Sequence, residues 1–162
     1  MKTIEIWGEN RHSAYTKTVE GCRGILSRNG KILLSYQEKL DQYMIPGGGR
    51  ENGESLEECC IRELMEETGT VVLPHTHFLT LEEYYHEYFF KSHYFICEYK
   101  GECNTNLTEA EKAEGMEPRW VELDEALKIF GSYPDYEKSA EMKSGMYYRE
   151  YLALQEIKAT EK

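Results

Sequence analysis

The chain has 162 residues, 40% hydrophobic and 30% charged, which is the size and composition of one globular domain, 1–162, and too apolar for intrinsic disorder. A formal net charge of −11 argues against nucleic acid as a partner, because phosphate contacts need clustered Lys and Arg. No apolar run approaches the roughly 18 residues of a membrane span, and Glu5, Glu9 and Arg11 break up the Met1–His12 segment, so the sequence reads as cytoplasmic, with no membrane partner and no signal peptide.

In chain order, Thr18 to Ser27 reads as a strand, Asn29-Gly30 as a tight turn, and Lys31 to Tyr36 as a second strand. Gln42 to Ile45 reads as a short strand that runs into Pro46-Gly47-Gly48-Gly49, a glycine loop that lets backbone approach a ligand or metal closely. Leu56 to Thr68 is the clearest helix. Ser55 is its N-cap, Glu58 completes a capping box, and Gly69 stands where a left-handed C-terminal residue is expected. Val71 to Tyr85 and Tyr88 to Tyr99, rich in β-branched and aromatic residues, read as two longer strands, and Arg119 to Val121 as a further short one. Asp124 to Phe130 and Met146 to Lys158 read as helices. Strands and helices mix without regular alternation, which predicts an α/β (α+β mixed) fold with a mixed sheet and helices on both sides.

Cysteine spacing points to no framework. The five thiols, at positions 22, 59, 60, 97 and 103, contain no C-x-x-C pair and read as reduced and partly buried. His75 and His77 could share a strand face, but no third ligand stands near them.

The chemistry lies on the first helix. At about 100° per residue, Cys60, Ile61, Leu64 and Met65 share an apolar arc, and Glu63, Glu66 and Glu67 fall together beside it. Like charges at that spacing repel by a few tenths of a kcal/mol, a cost that a solvated acidic face also bears. The glycine loop shifts the balance, because carboxylates beside close-approaching backbone suit Mg²⁺ or Mn²⁺. Arg62 lies at the border of the acidic arc, where its fork could hold Glu54 or a helix carboxylate.

Gly48, Glu54, Arg62, Glu63, Leu64, Glu66, Glu67 and Gly69 together resemble the Nudix box, G-x5-E-x7-R-E-U-x-E-E-x-G-U with U aliphatic. Seven fixed residue types at fixed offsets coincide by chance with odds on the order of 10⁻⁸. Thr70 departs from the final aliphatic position. The resemblance implies an α/β/α sandwich, a Mg²⁺ (or Mn²⁺) cofactor, and a hydrolase that cuts a nucleoside diphosphate linked to another moiety. It implies metal ligation by Glu63 and Glu67 with help from Glu66 and the Gly47 carbonyl, and orientation by Glu54 and Arg62. It also implies a further acid before the last sheet strand, Glu114, with Glu111 and Glu117 as alternatives; Glu63 or Glu114 would be the base.

The substrate is less legible. The aromatic run Tyr84, Tyr85, Tyr88, Phe89, Phe90, Tyr94, Phe95 and Tyr99 could supply a ring for a nucleobase, although core packing explains most of it. Arg23, Arg28, Arg50, Lys91 and Arg119 could hold phosphates, and Arg50, inside the glycine loop, is the best placed. The competing reading is a sensor of this fold that binds a nucleotide or sugar nucleotide without cutting it; the three intact helix carboxylates favour the enzyme. The C-terminal helix, with Tyr147, Tyr148 and Tyr151, could cover the core or a second copy in a homodimer.

Overall fold

The computed structural model describes residues 1–7 and 15–161, so part of the Met1–His12 reading lies outside the described residues. Eight strands form a mixed sheet in the order β1-β6-β7-β2-β3-β4, with β5 paired to β2 and β8 paired to β3. They are β1 (Lys2–Trp7), β2 (Lys17–Arg28), β3 (Lys31–Gln37), β4 (Gln42–Met44), β5 (Gly47–Gly49), β6 (Thr70–Tyr85), β7 (Tyr88–Glu102) and β8 (Met116–Glu122). The pairs β1–β6 and β2–β7 are parallel; the other ladders are antiparallel. Four α-helices accompany the sheet among the described residues: α1 (Leu56–Thr68), α2 (Glu109–Ala113), α3 (Leu123–Gly131) and α4 (Glu141–Thr160).

Side-chain alternation along the strands makes the layers. On β2, Cys22 and Leu26 join Cys59, Cys60 and Leu64 of α1 in one buried cluster. Ile25 points the other way and joins Phe130 of α3 and Leu154 of α4 in the larger cluster. On β3, Leu33 faces the first cluster while Ile32 and Leu34 face the second. Successive strand residues point to opposite faces, so helices cover the sheet from both sides, the α/β/α arrangement the sequence implied.

The helix α1 has the bounds the sequence predicted, with the Ser55–Glu58 capping box formed and Gly69 in the left-handed region at φ 67°. The turn at Asn29-Gly30 also takes positive φ at both residues, the backbone that closes a two-residue hairpin between right-twisted strands. Four differences stand out. Gly47–Gly49 is a strand rather than a loop, since Gly47, Gly48 and Gly49 pair with Arg23, Cys22 and Gly21. Strand β1 and the short helix α2 are not expected from the sequence, and α4 begins at Glu141 rather than Met146. On α1 the buried face runs through Cys59, Cys60, Leu64, Glu67 and Thr68, while Met65 is half-buried, so Glu67 belongs to the inner side of the helix. The cysteines are free, four of them buried and Cys103 half-buried.

Candidate active site

The site forms where α1 passes the glycine strand β5. Two close approaches explain the glycines. A Cβ on Gly47 would sit 2.1 Å from the Cys22 carbonyl oxygen, and one on Gly48 would sit 2.6 Å from the Glu63 carboxylate carbon. Any side chain there would push β5 off the sheet or the carboxylate off the strand.

Arg62 organises the acids around it. Its Nε donates to Glu54 Oε1 at 2.6 Å and its Nη2 to Glu54 Oε2 at 3.0 Å; its Nη1 donates to Glu63 Oε1 at 2.9 Å and Glu66 Oε2 at 3.2 Å. Nη2 also reaches the Gly49 carbonyl at 2.9 Å, tying helix to strand. The guanidinium beside Glu54 holds its carboxyl below the usual range. Burial pushes Glu63 up, against the opposing pull of Arg62.

Glu67 is separate from that fan. It is 5% exposed, and its Oε2 accepts from Gly47 N–H at 3.2 Å and from Ser35 Oγ at 3.2 Å. Burial pushes its carboxyl up to about 8, with the charge of Arg23 as the main opposing influence. A carboxylate in that place is costly without a neighbouring cation. Among the described residues, no three His, Cys, Asp or Glu side chains stand as a ready-made cage for an ion, because Glu63 and Glu66 turn to Arg62 while Glu67 turns to Gly47.

The further acids separate by position. Glu114 accepts from Gln37 Nε2, and its backbone carbonyl accepts from Lys39 N–H. Glu117 is engaged by Arg119 on the surface. Glu111, at N3 of α2, closes the helix's capping box, its Oε1 accepting from Thr108 N–H at 2.8 Å. Arg50 follows β5, forms an ion pair through Nε with Glu20 Oε1 at 2.9 Å and donates from Nη1 to the Glu54 carbonyl at 3.3 Å.

Three of the other cations have partners of their own. Arg28 lies over the Tyr99 ring at 4.0 Å, Arg119 over Tyr36 at 3.8 Å, and Arg23 donates to the Ile45 carbonyl at 2.7 Å. Of the aromatic run, Tyr94 and Phe95 are core, and Tyr84 stacks on Trp7 at 4.0 Å. His75 is exposed and bonds to Thr76, whereas His77 bonds to Thr80 and stacks on Phe95. Sequence reasoning missed Ser35 and Arg23 as neighbours of Glu67. Both lie on strands whose alternation was legible, but the contact across the fold was not.

An α/β/α sandwich with an Arg-centred carboxylate fan on a capped helix, facing a glycine strand, defines the class. The sequence pattern of the NUDIX domain matches residues 20–142, and the chain belongs to that family. It is 29% identical over 133 residues to Nudix hydrolase 4 of Arabidopsis thaliana, covering 73% of this chain and 60% of that protein. It is 36% identical over 59 residues to the uncharacterized Nudix hydrolase YvcI of Bacillus subtilis, covering 36% of each. The chain thus spans about a third to three fifths of the length of these curated relatives. Among solved structures, a NUDIX hydrolase from Nitrosomonas europaea superposes with a TM-score of 0.61 at 19% identity, covering 82% of this chain and 89% of that one.

Proposed function

We propose that the protein is a metal-dependent pyrophosphohydrolase that cleaves a nucleoside diphosphate linked to another moiety. The observation that carries this reading is the placement of Glu63 and Glu67 against β5, with Arg62, itself anchored by Glu54, holding Glu63 and Glu66. The donor set is all oxygen, which suits Mg²⁺ or Mn²⁺. The approach of Gly48 to the Glu63 carboxylate and the buried, cation-seeking Glu67 fit such an ion.

Glu63, Glu66, Glu67 and the Gly47 carbonyl would hold it. When bound, a divalent ion neutralises phosphate charge and lowers the pKa of a coordinated water. The protein's own groups do the rest. Arg62 and Glu54 keep the carboxylates aimed at β5, and Gly48 leaves room for them. Arg50, on the rim, is placed to meet a phosphate if it exchanges Glu20 for substrate. The proton of the attacking water goes to a carboxylate, Glu63 or the further acid. For that acid, Glu114 keeps its place ahead of Glu111, because the Glu111 carboxylate is committed to Thr108 N–H in the α2 capping box, while Gln37 holds the Glu114 carboxylate beside β3.

The experiment is a Mg²⁺-dependent turnover panel of nucleoside triphosphates, oxidised dGTP, ADP-ribose, nucleotide sugars and dinucleoside polyphosphates, with products separated by chromatography. Release of a nucleoside monophosphate or of pyrophosphate from one class, abolished by chelation, is the expected result. Metal binding without cleavage of any class would instead favour a nucleotide sensor on the same fold.

A further inference from the structure

Strand β4 ends the sheet order, so one side of its backbone has no strand to pair with. Unpaired edge groups need partners, and α4 supplies them with side chains. Tyr43 N–H donates to Tyr147 Oη at 3.0 Å, Ile45 N–H donates to Glu150 Oε2 at 2.5 Å, and Lys143 Nζ donates to the Asp41 carbonyl at 3.0 Å. Residues 41, 43 and 45 alternate along the chain, and 143, 147 and 150 follow one helical face. Helix α4 therefore acts as a surrogate edge strand for the chain that enters β5.

The last of these contacts is the one next to the site. Glu150 is 0% exposed, and its Oε1 accepts from Tyr94 Oη at 2.5 Å and Arg149 Nε at 3.1 Å. Arg23 Nη1 holds the Ile45 carbonyl at 2.7 Å while its Nε stands 4.0 Å from Glu150 Oε1, and Gly24 N–H holds the Pro46 carbonyl at 3.0 Å. Ile45 is thus gripped by both its N–H and its C=O, two residues before Gly47, whose N–H meets Glu67.

We propose that Glu150, which lies beyond the matched family segment 20–142, is a positioning residue for the metal strand. With Arg23 it fixes Ile45, and so sets the Gly47 peptide against Glu67. The inference rests on the metal reading given above, and its consequence is that metal affinity depends on a helix outside the family's shared segment.

The isosteric change Glu150→Gln breaks the chosen contact. Tyr94 and Arg149 both donate to Oε1, so the amide oxygen of a glutamine goes to that side and its NH₂ is left against the Ile45 N–H. Mn²⁺ binding by electron paramagnetic resonance, with amide hydrogen exchange at Ile45 and Gly47, reads the effect. Glu150→Gln is expected to weaken Mn²⁺ binding by about tenfold or more and to speed exchange at both amides. Tyr147→Phe, which removes the neighbouring contact to Tyr43, should leave Mn²⁺ affinity within about twofold. Arg23→Lys, which releases the Ile45 carbonyl, repeats the test should Glu150→Gln not fold. Unchanged Mn²⁺ affinity in the Glu150→Gln and Arg23→Lys proteins would overturn the proposal, as would an equal loss in Tyr147→Phe. Failure of the wild type to bind Mn²⁺ would sink the metal reading instead. The exchange rates then decide: faster exchange at Ile45 and Gly47 in Glu150→Gln supports the positioning role, and unchanged rates refute it.

Discussion

Arg62 and Glu54 form a two-point ion pair, Nε to Oε1 at 2.6 Å and Nη2 to Oε2 at 3.0 Å, that ties the middle of α1 to the turn before it. The planar fork matches the carboxylate at both oxygens, and its remaining nitrogen serves Glu63 and Glu66. A lysine keeps the charge but presents one point. Arg62→Lys is therefore expected to lower kcat/KM on the order of 10- to 100-fold, while circular dichroism shows the helix retained. Steady-state kinetics within threefold of wild type would show that the fork does not organise the carboxylates.

The two site glycines should fail differently. On Gly47 a Cβ meets rigid β2 backbone at 2.1 Å, so Gly47→Ala is expected to cost about 1–3 kcal/mol of stability in a denaturant melt. On Gly48 it meets the end of the Glu63 side chain, which can swing away. Gly48→Ala should fold nearly as well as wild type and lose activity, because the carboxylate is what moves. Equal loss of stability in both variants would contradict this.

Glu111 and Glu114 make a paired test of the further acid. Glu111→Gln keeps the α2 capping box, since glutamine serves at N3, and should stay within about threefold of wild type, because the Glu111 carboxylate closes its own helix cap. Glu114→Gln removes the carboxylate that precedes β8 and is expected to reduce turnover by about 10- to 100-fold. The reverse order of effects would give the role to Glu111.

Burial lowers the pKa of His77, with the nearby His93 adding to the effect. The folded protein therefore resists a proton that the unfolded chain accepts near its ordinary value of about 6.5. The neutral imidazole is accommodated in full above that pH, and stability is lost as pH falls through it toward the lower folded value. Thermal melts of wild type and His77→Gln between pH 7.5 and pH 5, on the order of one unit either side of that value, should converge toward acid, the wild type falling more steeply. Parallel slopes would show that His77 does not contribute to acid sensitivity.

What could be read from the chain was whatever is encoded locally. Ser55, Glu58 and Gly69 mark the ends of α1 by cap chemistry alone, so its bounds agree residue for residue. The carboxylate spacing on that helix is equally local. What escaped depends on distant partners. The run Gly47–Gly49 looks like a turn because glycine carries no strand signal; it becomes a strand only against β2. Strand β1 exists by parallel pairing with β6, more than seventy residues away in register, Lys2 against Leu79. Glu150 gave one overlooked sign, a carboxylate in the buried helical row formed with Tyr147, Leu154 and Ile157. A polar residue in such a row needs partners, and only the fold shows that they are Ile45, Tyr94 and Arg149.

On the proposed function, Glu67, turned inward against Gly47, holds the divalent ion on which hydrolysis depends. The most direct test is single-substrate turnover of wild type and Glu67→Gln across a Mg²⁺ titration, on the best substrate of the panel. Wild-type activity that saturates with Mg²⁺, and a loss on the order of 10²- to 10⁴-fold in Glu67→Gln that added metal does not restore, is the predicted result. Undiminished turnover in the Glu67→Gln protein, or turnover indifferent to Mg²⁺, would contradict the account.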